Sequence, residues 1–201
     1  MTLMNIANQY NTRETVGILL AAGQGRRFGG DKCLALLPDG APMGLRAAQN
    51  LSAAVDTLVC VVRPDDWALI TLFNNHGFRT VDCPDAALGM SASLKAGIIA
   101  TPEAQGWVIA LADMPLIQPA THQLLVNELR EQGGIVRPTY ADKAGHPVLF
   151  AQQYRDDLLA LSGDSGAKAV LKRYQSQLRL LAVDDAGVLQ DFDTKDSLLE
   201  I

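Results

Sequence analysis

The sequence predicts an α/β chain, in which a mostly parallel sheet carries helices on both faces as a three-layer αβα sandwich. Three observations carry this reading. Short continuous apolar runs at 16–22, 57–63 and 106–113 look like strands covered on both faces. Segments of helical composition separate them, at 43–55, 65–75 and 91–100. Strand and helix patterns alternate as far as residue 134, which is the order that parallel crossovers require.

Taken in order, residues 1–14 are polar, without the apolar centre of a signal peptide, and are expected to form a flexible tail ahead of a single domain over 15–201. "VGILLAA" is the first strand and "MGLRAAQNLSAAV" the first helix. "TLVCVVR" is β-branched and apolar, a second buried strand. "DDWALITLFNN" reads as a helix with Asp65 near its N-cap, closed at Gly77. "FRTVDC" (78–83) is a short strand, and "SASLKAGIIA" a helix that Ser91 is placed to cap. "GWVIALAD" is the fourth strand, and "PATHQLLVNELREQ" (119–132) an amphipathic helix stopped by Gly133 and Gly134. Beyond residue 134 the rhythm changes. Two strands, "GGIVRPTY" and "HPVLF", lie close together around a tight turn at Asp142–Gly145. Helices follow at about 152–161 and 166–174, then the strand "LRLLAVD", then a helix after Asp193.

Composition narrows the function. A chain of 201 residues that is 48% hydrophobic can bury a sizeable core. A net charge of −5 repels nucleic acid and anionic membrane, and no apolar run is long enough to span a bilayer. Cys33, Cys60 and Cys83 are odd in number and widely spaced, so neither a disulfide frame nor a zinc knuckle is expected, and a cytoplasmic location fits.

The first strand ends in "AAGQGRRFGGDK", with four glycines and the cations Arg26, Arg27 and Lys32. Ligands of open parallel sheets bind at the strands' carboxyl ends. Glycine there lets backbone N–H groups approach an anion, and the added cations suit a phosphate chain. Phe28 occupies the third glycine position of the dinucleotide fingerprint, and Gly30 is followed by Asp31 where a P-loop needs lysine, so neither of those loops is present. Asp113 follows a buried strand at the same edge and is well placed to hold Mg²⁺; the alternative is a turn aspartate before Pro115. Asp191 and Asp193 are two apart, on one face if extended; the alternative is capping of the last helix. Ser91 and Ser93 in "LGMSASLKAGI" could hydrogen-bond a base or ribose, or simply open a helix. The histidines His76, His122 and His146 are scattered and make no triad with a nucleophile.

"LLAAGQGRRFGGDK" resembles the L-A-A-G-x-G-x-R-(x)n-K signature of nucleotidyltransferases of the MobA-like NTP transferase family, and "LADMP" resembles their magnesium motif. The similarity spans residues 16–200. It implies a Rossmann-like fold of the nucleotide-diphospho-sugar transferase type. It also implies that Ala21, Ala22, Gly23, Gly25, Ser91 and Ser93 line the nucleotide, that Arg27 and Lys32 hold its phosphates, and that Asp113 and Asp193 hold Mg²⁺, with Asp191 in reserve. Gly145-His146-Pro147 and "GDSGAK" (163–168) are similar to segments of one branch, the molybdenum cofactor cytidylyltransferases, and imply contacts from Gly145, His146, Pro147, Asp164 and Lys168 to a molybdopterin substrate. Lys168 stands where that branch usually has arginine, which forfeits a bidentate donor. Family guanylyltransferases carry glycine where this chain has Ala22, whose methyl group would favour cytosine.

The expectation is therefore transfer of CMP from CTP to molybdopterin, catalysed by Lys32, Arg27 and Asp113, with transient contact to a molybdenum hydroxylase apoenzyme and no nucleic acid or membrane partner. The alternatives are a guanylyl or sugar- or alditol-phosphate transferase on the same fold, and a non-catalytic carrier of the molybdenum cofactor.

Overall fold

The computed structural model describes residues 14–23, 25, 28–194, 197 and 198. Eight strands form one sheet: β1 (Thr15–Leu20), β2 (Thr57–Val62), β3 (Arg79–Asp82), β4 (Gly106–Leu111), β5 (Ile135–Tyr140), β6 (Lys143–Ala144), β7 (Val148–Ala151) and β8 (Leu178–Ala182). Among the described residues six α-helices join them: α1 (Met43–Ser52), α2 (Trp67–Asn75), α3 (Met90–Ile99), α4 (Pro119–Gln132), α5 (Arg155–Leu159) and α6 (Lys168–Arg173). The order across the sheet is β3-β2-β1-β4-β7-β5-β6, with β8 paired parallel to β5. Strands β1 to β4 are mutually parallel, whereas β7 runs antiparallel to both β4 and β5. The sheet is therefore mixed, every antiparallel pairing involving a strand beyond residue 134.

Side chains alternate between the two faces with the strand period of two. Leu19, Leu58, Cys60, Val62, Val108 and Ala110 point to the face covered by α1, α2 and α4. Val16, Ile18, Val59, Val61, Trp107 and Ile109 point to the face covered by α3, α5 and α6. Both faces are buried, which explains why these strands read as continuous apolar runs. Trp107 is fully buried with its indole N–H on Thr101 Oγ1 at 3.0 Å, and each such large side chain contributes about 2 kcal/mol through burial.

Several local expectations are corrected. Asp66, not Asp65, caps α2, its carboxylate accepting from Leu69 N–H at 3.3 Å. Helix α3 begins at Met90 behind Gly89 with no side-chain cap, so Ser91 lies inside the first turn. The tight turn sits at Ala141 and Asp142, both with positive φ, because Lys143 and Ala144 already pair with β5. The expected helix after Asp193 falls almost wholly outside the described residues, as do residues 1–13 of the expected tail.

Candidate active site

Parallel pairing sets Leu20 of β1 opposite Leu111 of β4. The residues leaving the two strands therefore stay side by side: Ala21, Ala22 and Gly23 beside Ala112 and Asp113. Together they wall a cavity of about 520 Å³ that also takes in Gly25, Phe28, Lys32, Cys33, Gly89, Met90, Ser93, Asp164 and Asp193. Gly25 makes the turn possible. Its φ is +54°, its carbonyl accepts from Phe28 N–H at 2.9 Å and Gly29 N–H at 3.1 Å, and a Cβ there would stand 2.7 Å from the Gly30 carbonyl. The chain then tightens into a single 3₁₀ turn, Lys32–Leu34, which aims Lys32 inward.

Lys32 Nζ lies 2.7 Å from Asp113 Oδ2 and 2.7 Å from Asp193 Oδ1. Burial opposes its charge, but hydrogen bonds and attraction from both carboxylates outweigh this and hold its pKa above the ordinary lysine value. Asp191 joins the group: one carboxylate oxygen from each of Asp113, Asp191 and Asp193 falls within 4.8 Å of the others. Asp113 Oδ1 is buried without a hydrogen-bond partner among the described residues. Crowded carboxylates of this kind repel one another, and a set of hard oxygens with an unsatisfied buried atom fits a divalent cation such as Mg²⁺ or Mn²⁺. Phe192 N–H donates to the Asp113 carbonyl at 3.1 Å, tying the late segment to the β4 exit.

Cys33 also faces the cavity, but burial and the Asp113 charge push its thiol up to about 12, so it stays protonated and is no nucleophile. Burial pulls His146 down to about 4, leaving it neutral at pH 7. The arrangement suits charge neutralisation at phosphates rather than covalent catalysis.

The structure brings together Ala21, Ala22, Gly23, Gly25, Lys32, Ser93, Asp113, Asp164 and Asp193. Arg27 lies outside the described residues. Ser91 is fully buried, its hydroxyl without a partner among the described residues, and it is not part of the cavity wall. Lys168 is exposed at the start of α6 and also lies off that wall. Gly145, His146 and Pro147 pack elsewhere: Gly145 N–H bonds Pro138 O at 2.8 Å, and His146 N–H bonds Val188 O at 2.8 Å.

Sequence reasoning passed over Arg63, Ala86 and Ala87, and gave Asp164 to the acceptor alone. Arg63, directly after β2, donates to Gly23 O at 2.8 Å and to Asp66 Oδ2 at 2.9 Å, and so braces the glycine loop from behind. A cation just past a buried strand at the ligand edge was the available signal. Ala86 and Ala87 line the cavity from a 3₁₀ segment, Pro84–Leu88, between β3 and α3. Asp164 packs directly onto Gly89, and Ser91 N–H bonds Gly163 O at 3.2 Å. The "GDSG" loop thus belongs to the same cavity as the α3 N-terminus.

Comparison with known proteins identifies the architecture. The MobA-like NTP transferase domain matches residues 17–178. The chain belongs to that family. It is therefore a MobA-like nucleotidyltransferase, and enzymes of this kind use divalent metal ions. Among curated relatives, the purine catabolism protein PucB of Bacillus subtilis is 30% identical over 196 residues, covering 89% of this chain and 91% of the relative. A protein named nicotine blue oxidoreductase, from Paenarthrobacter nicotinovorans, is 29% identical over 197 residues, covering 92% and 95%. The 2-C-methyl-D-erythritol 4-phosphate cytidylyltransferase of Nocardia farcinica is 29% identical over 191 residues, covering 90% and 82%. Among solved structures, Rv0371c of Mycobacterium tuberculosis superposes with a TM-score of 0.83 at 30% identity, covering 94% of this chain and 98% of that one. A manganese complex of the same protein matches with a TM-score of 0.79 at 27% identity, covering 94% and 98%. The nucleotide-diphospho-sugar transferase type of fold expected from the resemblance is the observed one. Among the described residues, no helix is long and apolar enough to cross a membrane.

Proposed function

We propose that this nucleotidyltransferase moves CMP from CTP to the terminal phosphate of molybdenum-bound molybdopterin, releasing pyrophosphate. The observation that carries the reading is the trio Asp113, Asp191 and Asp193 beside the glycine loop, two of whose members, Asp113 and Asp193, bond the Lys32 ammonium. The cytidylyltransferase among the relatives supports nucleotidyl chemistry with CTP. Ala22, buried on the cavity wall, supports the smaller base, because its methyl group takes space a purine would need. The reading includes a cytoplasmic setting and hand-over of the product to a molybdenum hydroxylase apoenzyme.

In this mechanism an oxygen of the acceptor phosphate attacks the α-phosphorus in line, and the bond from that phosphorus to the bridging β-phosphate oxygen breaks. Asp113, Asp191 and Asp193 would hold Mg²⁺, which supplies neutralisation of the phosphate oxygens when bound. The backbone of Ala21, Ala22, Gly23 and Gly25 cradles the phosphates. Lys32, above its ordinary pKa and fully charged at pH 7, turns from the carboxylates to the pyrophosphate oxygens, with Arg27 assisting. Asp164, beside Gly89, accepts hydrogen bonds from ribose or base, and Ser93 adds a hydroxyl. Gly145, His146, Pro147 and Lys168 are left to the acceptor. The oxidoreductase among the relatives favours redox chemistry instead, but hydride transfer has no use for three clustered carboxylates.

Pyrophosphate release tests the proposal. Purified protein with molybdopterin and each of CTP, GTP, ATP and UTP should release pyrophosphate fastest from CTP. Faster release from GTP would replace the base assignment. Release with an alditol phosphate and not with molybdopterin would replace the acceptor. Cofactor binding without any turnover would leave the carrier reading.

A further inference from the structure

Asp185 is 4% exposed, a buried carboxylate six residues before Asp191 and eight before Asp193. A carboxylate so placed is costly unless its hydrogen bonds are filled. Here they are, by partners from two distant parts of the chain. Oδ2 accepts the Gln118 N–H at 2.9 Å and the Thr121 hydroxyl at 2.6 Å. Oδ1 accepts the Gly187 N–H at 3.0 Å. Gln118 is the N-cap position of α4 and its own side chain makes no cap bond, so Asp185 serves as the cap from 67 residues away. Negative charge there is further favoured by the helix dipole.

The same contacts lock the segment that follows. Gly187 sits so close to the Leu116 carbonyl that any side chain would collide with it. Val188 O accepts the His146 N–H at 2.8 Å, and Gln190 N–H closes the 3₁₀ turn Ala186–Leu189 on Gly187 O at 3.2 Å. The chain then delivers Asp191, bonds Phe192 N–H to Asp113 O at 3.1 Å, and delivers Asp193. Asp185 is thus clamped to the start of α4, and Asp113 lies at the start of the connection leading into that helix. One carboxylate fixes the spacing between the two chain segments that supply the acidic trio.

We infer that Asp185 is a positioning residue: it sets Asp191 and Asp193 against Asp113, and so tunes the metal affinity of a site it does not touch. This rests on reading the trio as metal ligands. The loss expected for a supporting contact of this sort is about 10- to 100-fold in metal affinity.

The experiment is Mn²⁺ titration followed by electron paramagnetic resonance on the full chain, at a temperature well below every variant's melting point. Asp185→Ala should weaken Mn²⁺ binding by at least about tenfold. Thr121→Val, which removes one of the three bonds and leaves 185–193 untouched, should weaken it about threefold, roughly the worth of one hydrogen bond. Amide exchange at Gly187, Val188 and Phe192 should quicken in both. If Asp185→Ala is too unstable to purify, Thr121→Val decides alone. A folded Asp185→Ala protein that melts earlier but binds Mn²⁺ within twofold of wild type would overturn the inference, since Asp185 would then be a helix cap and nothing more. A wild-type protein that binds no Mn²⁺ would instead remove the metal site itself.

Discussion

The two ends of the sheet carry cavities of similar size, about 520 Å³ at the carboxyl end of β1 and β4 and about 610 Å³ at the amino end. They treat charge in opposite ways. At the amino end opposite charges alternate. Arg130 Nη2 meets Asp56 Oδ2 at 2.6 Å and its Nε meets Thr15 Oγ1 at 3.1 Å, while Arg155 lies 3.8 Å from Asp156. At the carboxyl end like charges are crowded, with three carboxylates inside 4.8 Å, two of them sharing the Lys32 ammonium. Alternating pairs are ordinary surface architecture and contribute little. Crowded like charges cost stability, and a fold keeps them where a cation or a phosphate chain is to be handled. This crowding supports placing the proposed activity at the carboxyl end, on electrostatic grounds independent of any motif.

Substitutions should separate the two ends, starting with the largest effect. Asp113→Asn removes one charge from the trio and should slow pyrophosphate release on the order of 10³-fold with little change in melting temperature. Lys32→Met keeps the stem and loses the ammonium, and should slow release about 10²-fold. Next comes acid. His122 and His146 are buried off the cavity wall, and burial pulls each to about 4, below the ordinary 6.5. The unfolded chain then binds protons that the folded one refuses. Stability is full above pH 6.5 and falls as pH drops from 6.5 toward 4, by on the order of 2 kcal/mol per histidine. Denaturant titrations at pH 7, 6, 5 and 4.5 check the slope, and His122→Leu should flatten it. Ala22→Gly should shift the ratio of CTP to GTP turnover about tenfold toward GTP, the worth of one methyl group in a pocket. The smallest effect belongs to the other end, where Asp56→Ala should cost about 1 kcal/mol or less and leave turnover unchanged. A large loss of turnover there would break the comparison.

The same contrast explains what could be read from the sequence. Strands β1 to β4 and their helices were legible because both faces are buried and the apolar runs are local signals. Lys32, Asp113 and Asp193 were legible as a group because each follows a recognisable motif, and the structure draws them within hydrogen-bond reach. What was not legible depends on tertiary contact or on a shift of one residue. Helix α3 starts at Met90, and this phase turns Ser91 into the core while Ser93 stays on the cavity wall. Asp164, which the resemblance assigns to the acceptor, reaches the start of α3 because the 159–168 connection returns over Gly89. Asp185 caps a helix 67 positions earlier, a pairing that no local pattern announces. Asp191 looked secondary to Asp193, yet both fall in the cluster, since alternate residues of an extended segment share a face.

A thermal-shift titration tests the central claim most directly: wild type and Asp113→Asn, each with CTP, GTP, ATP or UTP, with and without Mg²⁺. The account predicts that wild type melts substantially later only when nucleotide and Mg²⁺ are both present, most of all with CTP, and that Asp113→Asn loses this shift. An equal shift without Mg²⁺, or one that survives in Asp113→Asn, would contradict it.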